Sequence, residues 1–182
     1  MRPSSRLSRR GRGFGRPFSG ATDLAAPGNL LANSSFELDS NSDGLADSWS
    51  VYASTVSIVP TIGGGLHGTK SQRLTPGAGS YVLINQQVPV TAGLQYTLTS
   101  VYRIVALNGG QATFKVEWYQ ADGTTPTVTE PYDYDYDKTS TGVYSTNHVV
   151  RTAPSGAAFA NVVLDGEGGC VVDYDFASLV QG

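Results

Sequence analysis

The 182-residue sequence predicts an all-β fold, a two-sheet antiparallel sandwich preceded by an extended basic N-terminal arm. Three observations predict it. Short segments of alternating apolar and polar residues are separated by turn signals at roughly 8–15-residue spacing. The composition is rich in Gly and Tyr, with 22 and 10 residues, whereas Met and Cys occur once each. No segment shows the apolar period of a helix over about ten residues.

The first element is the arm, residues 1–28. Six of the 12 Lys and Arg residues lie in residues 1–22, which contain no acid, so this segment carries +6 and the remainder −9. A segment of Gly, Ser, Pro and Arg cannot bury enough apolar surface to offset its ordering entropy. The charge asymmetry indicates an acidic or polyanionic partner. Its candidate contact residues are Arg6, Arg9, Arg10, Arg12, Phe14, Arg16 and Phe18.

The second element is the sandwich, residues 29–182, built from short strands. The alternation places Trp118 in the core and Tyr119 on the opposite, outward face of one strand. The glycine-rich residues 166–169 read as a turn. The predicted strands are Val51–Val59, Tyr81–Val88, Tyr96–Ile104, Thr113–Trp118, Val143–Arg151, Phe159–Leu164 and Cys170–Phe176.

Four segments, in order, resemble carbohydrate-binding modules of the family 4/9/22 type. The opening Asn29–Glu37 is similar to the family's "NLL-N-x-x-FE", and Trp49 matches the tryptophan that ends that opening. Thr152–Ala158 is similar to the later "AP-x-GA" segment, and Asp175–Leu179 to the closing "DDVSL", with Phe176 in place of the second Asp. The resemblance implies a galactose-binding-like jelly roll. Its landmarks are core and turn residues, so it transfers no sugar-binding residue.

Within residues 39–47, oxygen-bearing side chains stand at the alternate positions Asp39, Asn41, Asp43 and Asp47, and Gly stands at the sixth position, as in the first half of a calcium loop. The bidentate Glu expected at the twelfth position is replaced by Ser50. The family resemblance implies a structural Ca²⁺ to which Glu37 and Asp175 contribute. The alternative is a solvated Asx-rich turn without metal. The candidate ligands are Glu37, Asp39, Asn41, Asp43, Asp47 and Asp175.

The most unusual stretch alternates tyrosine with aspartate. In an extended chain Tyr132, Tyr134 and Tyr136 share one face and three carboxylates share the other. Tyrosine faces stack on sugar rings or on protein surfaces, so these residues, with Tyr119, are candidate glycan or protein contacts. The alternative is that the tyrosines cover a sheet edge while the aspartates keep it soluble. The acidic stretch could also receive the basic arm of a neighbouring copy.

Other classes are disfavoured by the residues present. One cysteine and two histidines exclude a disulfide framework, a cysteine-based zinc site and a multi-histidine site. No apolar run is long enough to span a membrane, and no secretion signal is seen. Glu117 and Glu130 could serve glycoside hydrolysis, but carboxylates on a wet face are expected to be solvated only. His67 and His148 lack a nucleophile motif, so we expect no enzyme activity.

Three functions remain. The first is a structural or decoration protein of a large assembly, a phage virion capsid or tail, at the virion surface or outside the cell. In it the arm docks the displayed sandwich onto neighbouring subunits, either as a homo-oligomer or on a shell protein. The alternative is a free-standing glycan-binding module. The lesser alternative is a nucleic-acid-associated protein that binds through the Arg-rich arm, although the acidic body offers no basic path to continue it.

Overall fold

The computed structural model describes residues 27–54, 65–127 and 132–182. Within these ranges the chain forms nine β-strands. No helix in the described residues is long and apolar enough to cross a membrane. The strands are β1 (Ser50–Ser54), β2 (Gln72–Leu74), β3 (Tyr81–Pro89), β4 (Gln95–Ala106), β5 (Gln111–Tyr119), β6 (Tyr132–Asp137), β7 (Tyr144–Thr152), β8 (Phe159–Glu167) and β9 (Val171–Gln181).

The strands form two sheets in which every pairing is antiparallel. The five-stranded sheet has the order β1-β3-β8-β5-β6, and the four-stranded sheet has the order β2-β9-β4-β7. The predicted all-β sandwich is therefore confirmed. The arm residues Arg6, Arg9, Arg10, Arg12, Phe14, Arg16 and Phe18 lie outside the described residues, as do residues 55–59 of the first predicted strand and Glu130.

Strand β8 is longer than the sequence predicts. The prediction ended it at Leu164 and read residues 166–169 as a turn, but pairing continues to Glu167, which lies opposite Tyr81 on β3 and Gln111 on β5. Gly166 belongs to the strand because its missing side chain admits the Cys170 carbonyl, which would lie 2.6 Å from a Cβ. The turn is confined to Gly168 and Gly169, both at positive φ.

The core lies between the sheets and follows the predicted alternation. Trp118 on β5 is buried, and so are the inward residues of β8, Ala160, Val162 and Leu164. Tyr174 crosses the core from β9, and its hydroxyl lies 2.9 Å from the Asp165 carbonyl oxygen on β8. This hydrogen bond comes from the core side and holds the backbone of β8 at Asp165, whose carboxylate lies on the opposite face of the strand.

The opening segment closes one end of the core. Phe36 and Trp49 are buried and pack with ring centroids 5.1 Å apart. The Leu30 amide donates to the Leu179 carbonyl on β9 at 2.9 Å, and the Asn29 side chain accepts from the Leu179 amide. The sequence landmarks of the opening therefore join the start of the sandwich to its last strand.

Candidate functional site

The outer face of the five-stranded sheet carries a polar centre flanked by tyrosines. Because side chains alternate along a strand, the residues between the buried positions of β3, β5 and β8 point away from the core. The register places Gln87 of β3 and Glu117 of β5 on either side of Asn161 of β8, with Asn85 two residues away from Gln87 on β3. We call this surface the outer face. Two pockets formed by described residues of the outer face concern the site.

The edge strand β6 supplies a tyrosine strip to the outer face. Its register pairs Tyr136 with Thr113, Tyr134 with Lys115 and Tyr132 with Glu117, so the strip continues the outward row of β5. Tyr134 and Tyr136 are each 49% exposed. The ammonium group of Lys138 lies 4.7 Å from the centre of the Tyr136 ring. The strip thus lies on the edge strand of its sheet and also borders the polar centre, which is compatible with both sequence interpretations.

Asp135 and Asp137 of β6 point to the other side and tie the strand to the four-stranded sheet. Asp137 accepts a hydrogen bond from the Tyr102 hydroxyl at 2.7 Å, and Asp135 accepts one from the Asn147 side-chain amide at 2.7 Å. The bond to Tyr102 helps to hold the pKa of Asp137 well below its ordinary value, against the opposing effect of burial. Strand β6, which carries the strip, is therefore held both by its pairing with β5 and by these two bonds to the four-stranded sheet.

The first pocket has a volume of about 360 Å³ and lies where Tyr52 and Tyr119 meet. The two hydroxyl oxygens are 3.3 Å apart. Below them a chain of hydrogen bonds runs from Asn85 to Asn161 at 2.6 Å and from Asn161 to Glu117 at 2.9 Å. Tyr119 also donates to Glu117 at 3.0 Å, and burial together with Tyr52 and Glu117 raises the pKa of Tyr119 well above its ordinary range.

Glu117 differs from its predicted state. The sequence interpretation expected a solvated carboxylate on a wet face, but this side chain is 6% exposed. The Asn161 amide and the Tyr119 hydroxyl satisfy its oxygen, so its burial does not leave an unpaired charge. Sequence reasoning identified Tyr119 but did not select Tyr52, Asn85 or Asn161. The signal available for Asn161 was its position between the inward residues Ala160 and Val162.

The second pocket has a volume of about 300 Å³ and is lined by Tyr81, Leu83, Lys115, Asp165 and Glu167. Asp165 is only 1% exposed. Burial raises its pKa to about 6, although the Lys115 ammonium, 3.3 Å from Oδ2, acts in the opposite direction. Among the described residues, Asp165 Oδ1 has no hydrogen-bond partner. Sequence reasoning missed this residue because it ended β8 one position earlier.

The outer surface of the four-stranded sheet is occupied by an ionic row. Asp173 accepts a hydrogen bond from Arg73 Nε at 2.7 Å and another from Arg103 Nη2 at 2.7 Å. Burial raises the pKa of Asp173, but the two guanidinium groups outweigh it and leave that pKa below its ordinary value. Arg103 also lies 5.0 Å from the centre of the Tyr144 ring. Asp173 thus joins the two arginines across the strands, while Arg103 Nε is buried without a hydrogen-bond partner among the described residues.

The predicted calcium ligands of the loop bond mainly to the loop itself. Asp39 accepts from the Gly44 amide at 3.2 Å, Asp43 from the Leu45 amide at 2.8 Å, and Asp47 from the Ser40 amide at 3.0 Å. Asn41 donates to Asp43 at 2.9 Å. The other oxygen of Asp39 is buried and has no partner among the described residues, so the loop offers one open oxygen ligand.

The other two predicted ligands hold a different loop. Glu37 accepts from the amides of Thr69 and Lys70 at 2.7 and 2.6 Å. Asp175 accepts from the Leu66 amide at 2.8 Å and from His67 at 2.7 Å. Within the described ranges no three His, Cys, Asp or Glu side chains converge as a metal cluster. Backbone amides thus take the positions where a cation would neutralise Glu37 and Asp175, and calcium binding stays a prediction.

The two histidines lie away from both pockets. His67 Nδ1 is 2.8 Å from Asp175 Oδ2 and its ring packs on Phe176, and His148 Nδ1 is 3.0 Å from the Thr99 hydroxyl. Neither histidine lines the first or the second pocket. The polar groups that line the two pockets are therefore hydroxyl, amide, carboxylate and ammonium groups, beside aromatic rings.

Comparison with solved structures identifies the fold. A β-1,4-galactotriose complex of TmCBM61 has a TM-score of 0.61 and 15% identity, covering 85% of this chain and 99% of that one. The C-terminal family 22 carbohydrate-binding module of Clostridium thermocellum Xyn10B has a TM-score of 0.57 and 15% identity, covering 86% and 95%. The sandwich is thus the galactose-binding-like jelly roll of carbohydrate-binding modules, as the sequence resemblance implied.

A phage protein shares this fold. The enzymatically active domain of bacteriophage CBA120 tailspike protein 4 has a TM-score of 0.62 and 12% identity over 85% of this chain. The chain spans only 22% of the length of that tailspike structure. No protein-family model matches the sequence, and the comparison with curated proteins found no match.

Proposed function

We propose that this protein is a non-enzymatic glycan-binding module and that its outer face is the binding surface. One observation carries the proposal: exposed tyrosines border buried amide and carboxylate groups on one sheet face of a carbohydrate-binding-module fold. Tyr134 and Tyr136 offer rings to the apolar faces of sugars. Asn85, Asn161 and Glu117 offer fixed donors and acceptors to hydroxyl groups, the combination of apolar wall and few polar groups typical of ligand sites.

We further propose that the module is displayed on a large assembly, at a virion surface or outside the cell. Two observations favour this. The first is the +6 charge of residues 1–22 beside the −9 charge of the remaining chain, which suits docking of the arm on acidic surfaces of neighbouring subunits. The second is the fold likeness to a phage tailspike domain. Nucleic acid is a lesser partner for the arm, because the acidic body would repel phosphates.

Affinity electrophoresis in gels that contain a soluble polysaccharide tests the glycan proposal. The panel comprises galactan, xylan, mixed-linkage β-glucan and glucomannan. We expect at least one of them to retard the full-length protein. The Tyr134→Ala/Tyr136→Ala double variant should run unretarded, whereas Tyr144→Ala on the other sheet should behave as the parent protein. Equal mobility of all three proteins in every gel would overturn the proposal.

A further inference from the structure

The second pocket of the outer face is lined by Asp165, a residue with one side-chain oxygen that the described residues leave unsatisfied. Asp165 Oδ1 is buried and, within the described part of the chain, receives no hydrogen bond. A buried carboxylate oxygen without a donor costs free energy comparable to a lost hydrogen bond. Two other carboxylates of the outer face, Glu117 and Glu167, accept hydrogen bonds from neighbouring side chains, so the unpaired oxygen of Asp165 indicates a donor group that belongs to a ligand.

The Lys115 ammonium group beside Asp165 can bind a ligand together with the unpaired oxygen. Lys115 Nζ lies 3.3 Å from Asp165 Oδ2, longer than the roughly 2.7–2.9 Å of a strong charge-assisted bond. Its side chain is 20% exposed. An ammonium group has three donors, so Lys115 can keep Asp165 and still donate to a ligand. The pocket thus presents one acceptor and one donor side by side.

The surroundings of this pair restrict the ligand. Leu83 and Tyr81 provide apolar surface, and Tyr81 is 40% exposed. Glu167 adds a second carboxylate to the pocket, and its oxygen accepts from the Gln111 amide at 2.8 Å. With Asp165, Glu167 and Glu117 against Lys115, the outer face carries an excess of negative charge. A negatively charged sugar would meet like charges in a partly desolvated site.

We propose that the second pocket is a sugar subsite in which adjacent hydroxyl groups of one uncharged sugar residue bridge Asp165 and Lys115. One hydroxyl donates to Asp165 Oδ1, and its neighbour accepts from Lys115 Nζ. Asp165 is then the specificity-determining residue, because it accepts a hydroxyl and repels the carboxylate of a uronic acid. This inference rests on the proposed glycan function and adds to it the part of the glycan recognised and the class excluded.

The pocket is separate from the first one along the sheet. Tyr81 and Leu83 precede Asn85 and Gln87 of the first pocket by four residues on β3, about 13 Å in a strand. A glycan that occupies both pockets must therefore be an extended chain. The first pocket would hold the chain by stacking and amide contacts. The second would select an uncharged sugar residue that has two adjacent hydroxyl groups.

The test uses the polysaccharide from the panel that retards the full-length protein most strongly, and the same polysaccharide after its primary hydroxyls have been oxidised to carboxylates. If that polysaccharide is xylan, whose xylose residues have no primary hydroxyl, glucuronoxylan takes the place of the oxidised polymer. We expect oxidation to weaken binding at least tenfold. We expect Asp165→Asn and Lys115→Met each to weaken binding of the unmodified polymer by about tenfold, or roughly 1.4 kcal/mol. Asp43→Asn is the control, because it removes the same charge from an exposed loop that lines neither pocket, and it should leave binding unchanged.

The outcomes separate the two proposals. If no polysaccharide retards the parent protein, both the glycan function and the subsite are overturned. Binding of the parent protein that survives both Asp165→Asn and Lys115→Met, or that is equal for the oxidised polymer, overturns the subsite alone. Circular dichroism at the assay temperature identifies a variant that has not folded. The other variant and the oxidised polymer then decide the question.

Discussion

The hydroxyl oxygens of Tyr52 and Tyr119 lie 3.3 Å apart although their strands, β1 and β5, are separated in the sheet by β3 and β8. Both side chains must lean across the outer face to meet. The pairing of β1 with β3 shifts register between Val51 and Ala53, so Tyr52 stands in an irregularity that changes how its side chain projects. The first pocket therefore has a wall made of residues that are 67 positions apart.

Removing one hydroxyl from this pair should reveal what it stabilises. Tyr119→Phe removes a donor from Glu117, which is then held by Asn161 alone, and we expect the free energy of unfolding to fall by about 1–2 kcal/mol. Tyr52→Phe removes only an exposed contact and should cost less than about 0.5 kcal/mol. Urea unfolding of the parent protein and both variants measures the difference. Equal losses would mean that Glu117 does not depend on Tyr119.

Asp165 should make stability depend on pH in an unusual direction. Burial raises its pKa from 3.8 to about 6, so the folded state binds this proton more tightly than the unfolded state. The contribution of this group is therefore full below about pH 4 and is lost as pH rises through 6. Lys115, Glu167 and Tyr81 share its pocket.

Asp165→Asn should remove this loss. We expect the variant to exceed the parent protein in the free energy of unfolding at pH 7 by on the order of 2 kcal/mol, and to show a smaller change between pH 4.5 and 7. Thermal and urea unfolding at both pH values provide the measurement. A variant that is less stable than the parent at pH 7 would show that the ionised carboxylate stabilises the fold through Lys115.

The calcium prediction can be tested without any glycan. If the loop of residues 39–47 binds a structural ion through Asp39, Asp43 and Asp47, EDTA should lower the melting temperature by several degrees, and excess Ca²⁺ should restore it. Asp43→Ala should abolish the response, because it removes one carboxylate from the loop. Mg²⁺ serves as the control cation. A melting temperature unaffected by EDTA contradicts the prediction and favours an Asx-rich turn.

The arm prediction separates folding from assembly. Deleting residues 1–26 should leave the melting temperature of the sandwich unchanged, because the described strands and core begin after that segment. The shortened protein should lose self-association or incorporation into the assembly, measured by light scattering and by cross-linking of native particles. An arm variant with its six arginines replaced by lysine tests charge against hydrogen-bond geometry. Unchanged incorporation of the shortened protein would contradict docking through the arm.

Local patterns predicted the strands well because each depends on the alternation of neighbouring residues. Trp118 and Tyr119 occupy opposite faces as that alternation requires, and Tyr134 and Tyr136 share a face as predicted. The three-residue strand β2 escaped prediction because so short a segment carries no measurable period. Its place is set by pairing with β9 instead.

The pockets could not be predicted because they depend on strand order. Asp165 sits between two strands that are distant in sequence, β3 and β5, and only the sheet brings Leu83 opposite it on one side and Lys115 close to it on the other. The segment around Asp165 is polar and rich in glycine, which reads locally as a turn. Pairing with β3 and β5 overrides that local preference and keeps the segment in a strand, with the carboxylate of Asp165 buried.

The bonds from Asp135 to Asn147 and from Asp137 to Tyr102 join the edge strand to the opposite sheet. They act on the backbone that presents Tyr134 and Tyr136, so the separation of these rings is set when the protein folds. A ligand then loses its own conformational freedom on binding but need not order the strand that receives it. Association should follow a single kinetic step whose rate is set by encounter, without a slow rearrangement of the protein.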